Sequence, residues 1–547
     1  MKDRCILIPA IKKNAIIPDQ LVKSLAGITL IQRAINTARA CAPGDDIIVL
    51  TDSEEIGLIC ERNAVRFIRE SGLRLRAWDI VSELRDLLSD LAASYAHCLI
   101  LRPSCPLLTW VDVEDAWRRH LASGCASLIS VRKVRQRLWH AQGVGEEQIL
   151  AAAASSDEQE YVVETRALII LSLDFLRKRG PGAPGGQAAI PYFMGDRGIE
   201  ILGYQDWWIC ERLLTRRHLA FVVAGYPAIG MGHVYRALML AHEISAHKIT
   251  FVCTRDSALA VESIASRDYE VIRQGEEELS QTVLGQMPDL VINDFLNTSE
   301  DYMRALRLAG ISCVNFEDDG PGAGLAQLVI NALENDRLST DRVRRGPAYF
   351  CLRDEFLQAR RNAWRPQVKT ALITFGGTDQ HDATGRVLRL IEPVCKKKGI
   401  AIRIVAGPGY AHKEELEARI AMLQNPAIEF TWATNIMSRM MEGVDVAITS
   451  AGRTVYELAW MRVPGLVLAT HEREARHGFA RPANGFAFAG LMAETADARI
   501  LELFLQFLAG DLRQELWRRQ NRISFAGNKA RVIGLIMNQL ELTEKLN

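Results

Sequence analysis

The sequence predicts an α/β protein in which one Rossmann-like domain is followed by a pair of further Rossmann-like domains. Three observations predict it. Apolar runs of strand length alternate with amphipathic stretches of helix length. That rhythm restarts twice, at Leu219 and at Thr370. Three glycine-bearing turns stand between a strand-like run and a helix-like stretch in the last two-thirds of the chain.

Taken in order, the first part sets apolar runs at 5–8, 47–50 and 98–101 against amphipathic stretches at 30–40 and 56–63. This spacing predicts a mostly parallel sheet with crossover helices. A soft glycine- and proline-rich segment at 179–186 reads as a loop, and the first domain is expected to span 1–214, ending at the junction 214–218. A strand at 219–223 then feeds a glycine-rich turn at 225–232 and a helix at 233–243. After the polar stretch 360–369, a second restart at 370–375 runs into Gly376 and Gly377. Two halves, 218–365 and 366–547, are expected to face each other across a cleft.

Composition limits the functions open to such a chain. Its 547 residues suffice for three to four domains of about 150 residues each. Lys plus Arg and Asp plus Glu number 66 each, so no global field gathers nucleic acid or an anionic membrane, and any phosphate binding has to be local. The 11 cysteines form no C-x-x-C pair, which argues against zinc and against a disulfide framework. The apolar run 6–11 is cut by Lys12 and Lys13 and is too short for a signal-peptide core. No stretch approaches the roughly 20 apolar residues that span a bilayer. A cytoplasmic protein without membrane insertion and without a nucleic-acid partner is the expectation.

The three turns read Gly230-Met231-Gly232-His233, Phe375-Gly376-Gly377-Thr378-Asp379 and Ala451-Gly452-Arg453-Thr454-Val455-Tyr456-Glu457. Each sets small residues and free backbone N–H groups at a helix start, where a diphosphate can approach closely and the helix dipole favours its charge. Glycine also makes tight turns in any such sheet, so a single turn carries little and the series of three carries more. Together with Asn293-Asp294 and 314–318, their order resembles the nucleotide-sugar hydrolases of pseudaminic acid biosynthesis and the related spore-coat polysaccharide proteins. These are relatives of the glycosyltransferase-B fold, and the likeness covers about 218–540. The resemblance implies a UDP-sugar substrate, no cofactor, and His233 and Asp294 as catalytic residues. His233 would be the general base that takes a proton from water attacking the anomeric carbon, since imidazole titrates near neutrality. Asp294 alternatively caps the loop that follows it. Gly230, Gly232, Gly376, Gly377, Thr378, Gly452, Arg453, Thr454, Glu457 and Glu472 would bind the nucleotide sugar. Glu457 would hold the ribose, or else be a solvated helix carboxylate, and Glu472 lies in a charge run that more often faces solvent. Arg453 departs from the small residue of the family and would narrow the phosphate site or add a cation to it.

The first domain carries Leu7-Ile8-Pro9-Ala10, Leu25-Ala26-Gly27, Leu101-Arg102-Pro103-Ser104-Cys105-Pro106 and Ile199-Glu200-Ile201 with Gln205-Asp206-Trp207. This framework resembles the sugar-acid cytidylyltransferases, which implies a Rossmann-like nucleotidyltransferase fold over 1–214, CTP and a sugar acid as partners, and Mg²⁺ as cofactor. Lys12, Lys13, Asn14, Arg102 and Ser104 would bind CTP, and Glu200 with Asp206 would hold the metal. Two departures stand out. The run Ile11-Lys12-Lys13-Asn14-Ala15 lacks the glycines of the family's phosphate loop, and Leu202 stands where a second metal carboxylate belongs. Lys12 and Lys13 can equally lie in a solvated loop, and Asp206 can serve as a helix cap.

The resulting expectation is a bifunctional, homodimeric protein of nonulosonic-acid biosynthesis, of the pseudaminic or legionaminic type. It would pair a UDP-amino-sugar hydrolase with a CMP-sugar-synthetase-like domain that has lost part of its chemistry. The alternative is a glycosyltransferase whose first domain is a non-catalytic binding or dimerisation module.

Overall fold

The computed structural model describes residues 2–13, 17–70, 80–135, 139–142, 149–152, 160–175, 189–226, 229–333, 341–377, 379–434 and 436–544. Asn14, Thr378 and the soft segment 179–186 lie outside the described residues. The chain divides into two compact units, Met1–Arg216 and Arg217–Asn547, each with its own core.

In the first unit seven of the described strands form a mixed sheet, beside two small two-stranded ones, Ser24–Leu25 with Ile28–Thr29 and Trp139–Gln142 with Ile149–Ala152. The spatial order of the seven is Ala189–Phe193, Ser127–Arg135, Glu160–Ser172, Tyr95–Leu101, Lys2–Ala10, Ile47–Thr51 and Arg66–Arg69. Lys2–Ala10 runs parallel to both of its neighbours, whereas Glu160–Ser172 is antiparallel to both of its own. The central strands read as continuous apolar runs, as strands covered on both faces must. Helices start where side chains replace missing backbone partners. Thr109 and Asp112 form a reciprocal cap for Trp110–Ser123, which then stops at Gly124 with φ +62°.

The second unit holds two parallel sheets. In the amino half the order is Glu270–Arg273, Lys248–Cys253, His218–Val223, Leu290–Asp294, Ser312–Phe316, Leu328–Asn331 and Val343–Arg345. In the carboxyl half it is Ile428–Trp432, Ala401–Ala406, Thr370–Thr374, Val446–Thr449, Gly465–Ala469 and Phe486–Leu491. Counted along the chain, both begin 3-2-1-4-5-6, the doubly wound Rossmann order, which reverses between the first and fourth strands. The expected α/β class and the paired Rossmann-like halves are what the sheets form.

That reversal positions the site. Val223 lies in register with Asp294, and Thr374 with Thr449. The turn after each first strand therefore sits beside the end of each fourth strand, where carboxyl ends splay apart and leave a crevice.

The division between the halves differs from a simple cut at residue 365. The last helix, Asn528–Glu544, returns to the amino half, where Val532, Ile536 and Leu540 join the core under His218–Val223 and Ser312–Phe316. Conversely Phe350, Leu352 and Phe356 pack into the carboxyl half, with the Phe350 ring stacked at 4.0 Å on Tyr456, itself 3.9 Å from Phe479. Burial of apolar surface, rather than position along the chain, decides which half an element joins.

Candidate functional site

The second unit contains a cleft of about 470 Å³ lined by turns from both halves. Gly230, Gly232, His233, Gly376, Gly377, Gly452, Arg453, Thr454 and Glu457 all border it. Gly376 has φ +82°, a conformation other residues adopt at a cost. At Gly377 a Cβ would come within 3.6 Å of the Cα of Gly230, an ordinary contact, so the turns of the two halves lie close together.

His233 is the second residue of the helix Gly232–Glu243 and is only 7% exposed. Its Nδ1 lies 2.7 Å from Oδ1 of Asp294, which ends the neighbouring strand and is 1% exposed. Arg236, one turn further along the same helix, grips Asp294 with Nε at 2.7 Å and Nη2 at 2.5 Å. Its Nη1 donates to Oε1 of Glu317, and its guanidinium lies 4.7 Å from the Phe316 ring centroid. Burial would raise the carboxyls of Asp294 and Glu317. Arg236 outweighs it at both, helped by His233 at Asp294 and by Arg453 at Glu317, so Asp294 is lowered and Glu317 falls well below the usual carboxylate range. An ionised Asp294 can only accept, so His233 donates from Nδ1. Asp294, expected to be catalytic, is not among the residues lining the cleft and meets it through the imidazole of His233.

Glu317 sits at the end of Ser312–Phe316 with φ +52°, a strained setting for a residue with a side chain. Oε2 of Glu317 accepts from Nη2 of Arg453 at 2.9 Å, and its carbonyl accepts from Nη2 of Arg473 at 2.6 Å. Arg453 also donates from Nη1 to the Gly232 carbonyl at 2.7 Å. The departing residue of the third turn is thus a tie between the halves.

Glu457 is buried and borders the cleft, which leaves the solvated-helix alternative without support. Its Oε1 accepts from Arg353 at 2.9 Å, and burial raises its carboxyl despite that cation. Glu472 is corrected: it is exposed at the start of a one-turn helix and does not border the cleft. The buried neighbour Glu474 does, its Oε2 accepting from the Thr470 backbone and hydroxyl at 2.8 Å. Arg236, Glu317, Arg353 and Arg473 escaped the sequence reading. A pointer to Arg236 was its place three residues after His233, on one helix face. Arg353 and Arg473 had none, since their partners lie 104 and 156 residues away.

In the first unit the expected ligand groups are turned on one another. Lys12 pairs with Glu55 at 2.7 Å and with Asp19 at 3.3 Å, and its backbone N–H donates to Asp52 at 2.6 Å. Lys13 is exposed. Glu200 accepts from Arg102 at 3.2 Å and from the Ser104 hydroxyl at 3.1 Å, and pairs with Arg166 at 2.5 Å. Asp206 accepts from the Leu202 backbone at 2.9 Å and serves its own helix start, while the Leu202 side chain is 49% exposed. These residues do not fit Mg²⁺: two guanidiniums meet the carboxylate that would ligate it, and Asp206 is committed locally. Lys12, Arg102 and Ser104, expected at CTP, each donate to a carboxylate of the same unit. Among the described residues no group of three or more His, Cys, Asp or Glu is gathered to hold a metal.

No protein-family model matches the chain. An uncharacterised protein of Methanocaldococcus jannaschii is 27% identical over 272 residues, which cover 46% of this chain and 56% of that protein. The chain thus spans little more than half of that relative. The spore coat polysaccharide biosynthesis protein SpsG of Bacillus subtilis is 27% identical over 268 residues, 46% of this chain and 77% of that protein. Among solved structures, MurG of Acinetobacter baumannii matches with a TM-score of 0.44 and 17% identity, over 59% of this chain and 99% of that one. A CMP:2-keto-3-deoxy-manno-octonic acid synthetase complexed with CTP matches with a TM-score of 0.31 and 12% identity, over 39% of this chain and 98% of that one. No helix among the described residues is long and apolar enough to cross a membrane.

Proposed function

We propose that the second unit hydrolyses a UDP-linked amino sugar during the making of a nonulosonic acid of the pseudaminic or legionaminic type. The observation that carries this reading is His233, anchored through Nδ1 to an ionised Asp294 and bordering a cleft ringed by three glycine turns. The turns supply N–H groups for a diphosphate. Nε2 of His233 takes a proton from water, the water oxygen bonds to the anomeric carbon, and the bond from that carbon to the β-phosphate oxygen breaks, releasing UDP. Glu457, held by Arg353, accepts from ribose hydroxyls in this reading. The relative named for spore coat polysaccharide biosynthesis supports a role in surface-sugar supply. The first unit is read as a CMP-sugar-synthetase-like domain whose phosphate and metal groups are paired internally, and which turns CTP over slowly or not at all.

The test is release of UDP from a panel of UDP-N-acetylamino sugars by the full chain and by His233→Gln. A general base contributes about 10²–10⁴-fold in rate and little to ground-state binding. The variant is therefore expected to lose turnover by that factor while its affinity for UDP stays within about twofold. Wild-type turnover in the variant removes His233 from the chemistry, and UDP release only when an alcohol acceptor is present makes the reaction glycosyl transfer.

A further inference from the structure

Resting on the reading of the cleft as a nucleotide-sugar site, we propose that Glu317 is an internal stand-in for the substrate diphosphate. Its carboxylate holds the Arg453 guanidinium until a diphosphate displaces it, so Arg453 is a cation of the substrate site that changes partners on binding.

Arg453 borders the cleft and its side chain is 23% exposed, while the Glu317 side chain is 5% exposed. Both residues border the cleft, and Arg453 is the more exposed of the pair, so a ligand in the cleft can reach the guanidinium while it is held by Glu317. It also stands directly before the helix Thr454–Met461, the same helix start toward which a diphosphate would be drawn. An arginine at that place presents planar, paired donors that suit phosphate oxygens.

The exchange leaves no buried charge alone. Glu317 keeps Arg236 on Oε1 after Arg453 leaves Oε2, and its backbone carbonyl keeps Arg473. A diphosphate carries more negative charge than one carboxylate, and the second guanidinium donor of Arg453, now on the Gly232 carbonyl, becomes available with the first. Arg453 joins the third turn to the helix that carries His233. Substrate entry thus breaks one tie between the halves and replaces it with the diphosphate, which confines the cation to ligands that bear one.

Calorimetric titration of the full chain with UDP, uridine and inorganic pyrophosphate tests this. Arg453→Ala is expected to weaken UDP and pyrophosphate about 10- to 100-fold, the range of one charge-assisted pair, and to leave uridine unchanged. Glu317→Gln is expected to tighten UDP severalfold, since the competing anion is gone. Should that variant fold poorly, Arg453→Lys supplies the second arm: a point charge without the paired donors, it is expected to fall between wild type and Arg453→Ala. Equal UDP affinity in wild type and Arg453→Ala, or an equal loss for uridine and UDP, overturns the exchange and leaves the nucleotide-sugar reading standing. Absence of any UDP binding by the wild type overturns both.

Discussion

At the scale of single residues, the hydrogen-bonded chain from His233 through Asp294, Arg236 and Glu317 to Arg453 has a consequence for acid stability. Asp294 and Glu317 are depressed from ordinary values of 3.8 and 4.5, so the unfolded chain binds their protons more readily than the native one. Their contribution is fully present above about pH 4.5 and is lost as pH falls through the depressed native values. Glu457 runs the other way, because burial raises it: its contribution is present at low pH and lost as pH rises through its raised value. The difference between wild type and Glu317→Gln isolates the first effect. Thermal melts from pH 7 to pH 3 are expected to show the gap between the two narrowing below pH 4.5, and a gap constant with pH contradicts the depressed carboxyl. His233 was legible in the sequence because a Gly-x-Gly-His turn names it locally. Arg453 was legible as a candidate cation of the third turn and Glu317 only as part of a motif, and their pairing was hidden because 136 residues separate them.

Elements were legible where burial writes a continuous signal. The runs at 219–223 and 370–375 emerge as His218–Val223 and Thr370–Thr374, since strands covered on both faces must be apolar throughout. The helix expected at 233–243 is Gly232–Glu243. Edge strands left no such mark: Val343–Arg345 is mostly cationic and pairs on one side only. The return of Asn528–Glu544 to the amino half was equally unreadable, because an amphipathic helix shows that it has a partner and not which one. Ile536 on that helix is fully buried among Val532 and the residues of the amino-half core. Ile536→Ala is expected to destabilise the second unit by about 2–5 kcal/mol, from lost burial and the cavity left behind. Urea unfolding followed by tryptophan fluorescence measures this, and a change below about 0.5 kcal/mol would show that the helix does not pack there.

At the scale of the whole molecule, one chain carries two compact units that each have their own core. The first unit keeps a seven-stranded mixed sheet while its Lys12, Arg102 and Glu200 pair with one another and with their neighbours. In the second unit the turns and His233 border open space, and Asp294 holds the imidazole from behind. The sequence showed the difference only as missing glycines and a Leu202 where a carboxylate was expected; which groups took up the vacated charges needed the fold. In the reaction proposed for the second unit, water attacks the sugar carbon. Turnover of a UDP-N-acetylamino sugar by the full chain in ¹⁸O-labelled water reads that bond directly by mass spectrometry. The label is expected in the anomeric hydroxyl of the released sugar and absent from UDP. Label in the phosphate of the nucleotide, or a sugar released only onto an added alcohol, would contradict it.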